Sequence, residues 1–124
     1  MAAVARQYPD EDTIQALYAE SIMDTQPWDY WEAAGTRPKG RAAEMLATLE
    51  KVLARNPEHP GAIHLYIHAV EASASPERGL PHARRLAALM PGAGHIVHMS
   101  AHIYYRVGLF KESLEANKRA MAVD

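Results

Sequence analysis

His64-Leu65-Tyr66-Ile67-His68 and His98-Met99-Ser100-Ala101-His102 decide how this chain is read. Each is an H-x-x-x-H pair, and residues four apart on an α-helix project from one face about a turn apart. The pairs are also in register. His64 and His98 are 34 residues apart, as are His68 and His102, and as are Pro57 and Pro91. Two helices carrying the same pair in the same phase present four imidazoles to one shared surface. The spacing predicts that this surface is the functional one.

Outward from these pairs the chain reads as helices separated by proline and glycine. A helix from Gly61 to about Ser73 carries the first pair, and one from about Gly94 to Val107 carries the second. Gly108 stands as a left-handed cap, followed by a last helix from Phe110 to Val123. Between the pairs, Ser75-Pro76-Glu77 predicts a helix start and a helix running to about Met90, with Pro81 kinking it near its beginning. Upstream, Ala42, Met45, Leu46, Leu49, Val52 and Leu53 form an apolar stripe at i, i+3, i+4, i+7 within Gly40–Arg55. Earlier still, Asp10, Glu11 and Asp12 offer capping and first-turn carboxylates to a helix that ends near Asp24. Ala2–Gln7 reads as a short helix stopped at Tyr8-Pro9. The stretch from Thr25 to Lys39, with Trp28, Tyr30 and Trp31 among Pro27, Gly35 and Pro38, predicts a long loop too apolar to be a plain linker. No period-2 alternation marks a strand. The expected fold class is all-α, in antiparallel helix pairs.

A helix-turn-helix unit recurring every 34 residues is the tetratricopeptide period. The last unit resembles a tetratricopeptide repeat at Ala101, Tyr104, Gly108, Ser113 and Ala120. The unit before it fits more loosely, with Ile67 and Gly79 where small residue and alanine are usual. The chain is thus similar to the tetratricopeptide repeat (TPR) family, with repeats at about 12–56 (carrying the loop insertion 25–39), 57–90 and 91–124. Pro27-Trp28-Asp29-Tyr30-Trp31 and the stretch from His95 to Tyr104 also resemble segments of long bacterial repeat proteins of this type. The resemblance implies helix pairs stacked into a right-handed superhelix whose leading helices line a concave face. The family's groove-facing places fall on His95, His98, His102, Tyr105 and Arg106, then on Gly61, His64, His68, Glu71 and Ala72. In the first repeat they fall on Thr13, Ala16, Glu20, Met23 and Asp24.

Duplication alone explains matched residues, but the units Pro57–Met90 and Pro91–Asp124 share only six identities, at proline, two histidines, leucine, arginine and alanine. Proline, leucine and alanine have structural duties in a helical repeat; the histidines have none. Packing several imidazoles together without a ligand costs desolvation, and protonating them adds repulsion. A divalent cation offsets both, since neutral imidazole ligates copper, zinc, nickel and iron. The expected metal ligands are His64, His68, His98 and His102, with His95 and Glu20 as extra candidates. Glu71, Tyr105 and Arg106 are candidate groove residues, with Glu71 able to serve as ligand, as acceptor behind a ligand or as base. Trp28, Tyr30 and Trp31 are candidates for a lid, and His59 and His82 are excluded as ligands. No glutamate follows either leading histidine, so the helical zinc-protease motif is incomplete and no full catalytic motif is present. The rival expectation is a TPR adaptor that holds a peptide, protein or small molecule in the groove without metal or catalysis. Groove histidines would then be hydrogen-bonding or pH-sensitive contacts.

Composition bounds the rest. With 48% apolar and 23% charged residues, 124 residues suffice for one globular domain. A net charge of −2 and the lack of a basic stripe give no reason to expect nucleic acid. Without cysteine, disulfides and thiolate metal sites are excluded. No apolar run approaches the roughly 18 residues that span a bilayer, and Met1–Asp12 lacks a secretory apolar core, which favours the cytoplasm. The chain ends one residue short of where a further repeat would place proline, so it is also expected to be a piece of a longer array. Its repeat ends are then candidates for self-association.

Overall fold

A computed structural model describes residues 1–123. Asp124, the last residue of the expected third repeat, lies outside the described residues. Helices form at Ala2–Gln7 (α1), Asp12–Met23 (α2), Ala42–Arg55 (α3), Pro60–Val70 (α4), Leu80–Leu89 (α5), Gly94–Arg106 (α6) and Phe110–Val123 (α7). The protein is predominantly helical, as the spacing of its apolar residues dictates. All six residues of the predicted α3 stripe are buried. Each large aliphatic side chain so buried contributes roughly 1.5–3 kcal/mol relative to exposure.

The region from Thr25 to Lys39 departs from a plain loop. Trp31–Glu32 and Arg37–Pro38 pair antiparallel, Trp31 opposite Pro38 and Glu32 opposite Arg37. Two residues per strand are too short to produce alternation, so nothing in the sequence announced them. The reversal between them is made by left-handed Ala33, Ala34 and Gly35 (φ 51°, 55° and 84°). The hairpin is fastened to the end of α4: the Trp31 indole donates to the Ala69 carbonyl at 2.7 Å, and the Ala74 amide to the Gly35 carbonyl at 2.9 Å.

Two terminus expectations also change. Pro81 does not kink a long helix. Pro76–Gly79 forms a separate 3₁₀ turn, and α5 begins at Leu80 with Pro81 in its first turn, where a missing N–H costs nothing. The acidic run before α2 makes no side-chain cap. Instead Arg55, at the end of α3, donates to Asp12 at 2.7 Å and to Asp10 at 3.1 Å, fastening the two helices together. Gly108 (φ 82°) ends α6 as expected, with the Leu109 amide donating back to the Tyr104 carbonyl at 2.8 Å.

Successive helices pack as hairpins, α2 on α3, α4 on α5 and α6 on α7, while α2 touches α4 and α4 touches α6. The core gathers Ile22, Met45, Leu49, Ile63, Ile67, Leu86, Met99 and Ile103, all fully buried. On α4 and α6 the core side takes Ile63, Ile67, Val97, Met99 and Ile103. The histidines, half-buried or exposed, are left on the remaining face.

Candidate metal centre

Five imidazoles close into a ring of contacts on that face. Centroid separations run 5.0 Å for His64–His68, 5.7 Å for His68–His102, 4.8 Å for His98–His102, 6.3 Å for His95–His98 and 5.1 Å for His64–His95. The pairs from α4 and α6 therefore share one surface. Their phase follows from the core residues between them, because burying Ile63 and Ile67 leaves His64 and His68 facing outward.

Within the ring, His64, His68 and His95 offer ligand atoms that all lie within 4.8 Å of one another. Metal–nitrogen bonds of about 2.0–2.1 Å place neighbouring donors about 2.9–3.4 Å apart and opposite donors about 4.2 Å apart. The Nε2 atoms of His64 and His95 already stand at 3.2 Å. The grouping differs from the expected quartet: His95 belongs to the compact set, while His98 and His102 form a neighbouring pair with Nε2 atoms 3.0 Å apart.

Glu71 lies behind two of these rings. His68 donates from Nδ1 to Glu71 Oε1 at 3.1 Å, and His102 donates from Nδ1 to Glu71 Oε2 at 2.6 Å. An ionised carboxylate only accepts, so each ring carries a proton on Nδ1, and in the neutral ring Nε2 is left as the ligating atom. Asn117 of α7 does the same for His98, whose Nδ1 donates to Oδ1 at 2.6 Å. Burial alone would raise the Glu71 carboxyl, but the bonds from His102 and His68 outweigh it and hold it down at about 2. The bond to Glu71 raises the His102 imidazole against the opposing effect of burial. Burial first, then repulsion from His68, His95 and His102, lowers His64 to about 4, keeping it in the neutral, ligating form.

Glu20 is exposed on α2 and is not part of the three-histidine set. It lines, with Asp24, Trp28, Tyr30, His64, His68 and His95, a cavity of about 410 Å³. Thr13, Ala16 and Gly61 line a smaller one of about 150 Å³ beside it. Tyr105 and Arg106 border a third, of about 270 Å³, with Glu71, His98, His102 and Asn117.

The three aromatic residues of the loop part company. Trp28 is 69% exposed and sets its ring edge-on against His68 at 5.0 Å. Tyr30 is buried in the cavity wall, and Trp31 is pinned to α4. His59 caps α4, its Nδ1 accepting from the Ala62 amide at 3.1 Å, and His82 packs against Tyr66 on a different part of the fold. Asn117 went unseen in the sequence. Its one signal is position, a turn beyond Ser113 on α7, and no motif asks for an amide there.

Comparison with protein-family models, with curated proteins and with solved structures finds no match.

Proposed function

We propose that this chain is a TPR-like helical scaffold whose concave face binds a divalent transition-metal ion through His64, His68 and His95. The observation that carries the reading is the convergence of those three ligand atoms within 4.8 Å, from two helices and without a compensating charge inside the set. The scaffold reading is supported by the adjacency of α2, α4 and α6 and by the groove-facing places. Thr13, Ala16, Glu20, Met23, Asp24, Gly61, His64, His68, Glu71, His95, His98, His102, Tyr105 and Arg106 line the cavities of one face, while Ala72 borders none of these three.

Neutral nitrogen donors favour copper, zinc or nickel; a carboxylate from Glu20 entering the shell would favour iron or zinc. Three protein donors leave a coordination position for water or a bound molecule, the arrangement that catalytic zinc sites use. The three histidines line the cavity walled by Trp28 and Tyr30, where a molecule bound to the ion would sit, with Trp28 as the part of the loop that can cover it. A groove that holds a peptide or small molecule without metal is the second reading, favoured by the exposed Trp28 at the cavity mouth.

Metal analysis of protein purified without a histidine tag separates the two. The metal reading expects at least one ion per chain, with the ion held by His64, His68 and His95 lost in His64→Ala and in His95→Ala. Metal-free protein whose melting is unmoved by zinc, copper or nickel supports the groove reading instead.

A further inference from the structure

His98 and His102 stand outside the three-histidine set, yet their Nε2 atoms approach to 3.0 Å. The bonds on the far side of each ring fix which nitrogen carries the proton. His102 donates from Nδ1 to Glu71, and His98 donates from Nδ1 to Asn117 Oδ1. In the neutral rings both Nε2 lone pairs therefore point into the same gap. The separation suits a cation in the gap, either a proton held in an N–H···N bond or a metal ion.

A metal fits it. With bonds of about 2.0–2.1 Å, an ion bound to both nitrogens makes an N–metal–N angle of about 90–100°, an ordinary angle between neighbouring ligands. One ion cannot serve all five rings. Donors around a single ion stand at most about 4.2 Å apart, and among the described residues the one group of three or more such donors within even 4.8 Å is His64, His68 and His95.

We infer that the face holds two ions side by side, the second bound by Nε2 of His98 and Nε2 of His102. This rests on the metal reading above and adds a second, separately testable centre. The rings of His68 and His102 touch at 5.7 Å, so the two centres abut. Two protein donors make the second ion the weaker and more exchangeable. Its remaining positions open on the cavity of about 270 Å³ between α6 and α7, where Arg106 suits an anionic oxygen ligand. Glu71 serves both centres at once, orienting His68 for the first and His102 for the second.

Copper(II) alone, titrated into untagged protein, tests this by stoichiometry and by electron paramagnetic resonance. The first equivalent is expected to give an isolated-ion spectrum. The second should broaden and weaken it through coupling between neighbouring ions. His98→Ala/His102→Ala, checked for retained helicity, should keep one equivalent with an unbroadened spectrum. A wild-type chain that binds one equivalent overturns the second centre and leaves the first standing. A second equivalent without coupling, held at His59 or His82, overturns it equally, and no binding overturns both centres. Should the double variant unfold, the coupling in the wild-type spectrum decides alone.

Discussion

Glu71 gives each of its two oxygens to a different histidine, one on α4, whose C-terminus it caps, and one on α6. Glu71→Gln keeps the size but sets an amide N–H₂ against one of the two imidazole N–H groups. One ring then loses its acceptor and is free to turn. Metal affinity is expected to fall about 10–100-fold, with the circular dichroism spectrum unchanged; an affinity equal to wild type would remove Glu71 from the site. His64 supplies a pH dependence in the metal-free chain. Its folded value of about 4 lies below the ordinary 6.5, so the unfolded chain binds more protons between those values. Stability is therefore fully present above about pH 6.5 and is lost as pH falls toward 4. Allowing for partial exposure of the ring, the loss is about 1–2 kcal/mol. Glu71 adds a further loss as pH falls from 4.5 toward 2, whereas His102, raised by the same carboxylate, contributes in the opposite direction. Urea midpoints across this range should fall less steeply in His64→Ala; equal slopes would refute the assignment.

At the scale of elements, glycines and an indole hold the pieces in register. A Cβ at Gly79 would sit 2.8 Å from Ile103 Cδ1 and 3.1 Å from Val70 Cγ2. That contact explains why glycine stands where the resemblance expects alanine: the remodelled turn brings Pro76–Gly79 against α4 and α6. Gly79→Ala should destabilise by about 1–3 kcal/mol, read from thermal or urea unfolding. Gly35→Ala should cost as much or more, because φ is 84° and the new methyl would meet the backbone of Ala74 at 2.6 Å. A neutral outcome there would mean that the hairpin is not fastened to α4 in solution. The helices and the shared histidine face were legible in the sequence because both follow from side-chain period. The regrouping of His95 with His64 and His68 was not, since it depends on how closely α4 and α6 approach, which no spacing within one helix encodes. The hairpin was hidden for a related reason: its pairing is local, brief and set by three left-handed residues, two of them alanine. Asp10 and Asp12 were readable as carboxylates near a helix start but not as partners of Arg55, more than forty residues away.

For the molecule as a whole, binding to the folded state alone must raise stability by mass action. At a hundredfold excess over the dissociation constant the gain is about 2.7 kcal/mol, which for a chain of this size raises Tm by roughly 8–10 °C. Calorimetry with and without copper or zinc checks this, and His64→Ala should remove most of the shift. A Tm indifferent to every divalent transition ion would leave the groove without a metal role.

The circle of imidazoles draws on two neighbouring hairpins, His64 and His68 from one, His95 from the next. Repeat arrays ordinarily fray from their ends, each unit leaning only on its neighbour. Under the proposed function, an ion tied to both α4 and α6 would act as a rivet across that seam, and α6 could not peel away without first releasing it. Amide hydrogen exchange in α6 should then slow to the rate of α4 when metal is added, turning two units that open in succession into one that opens together.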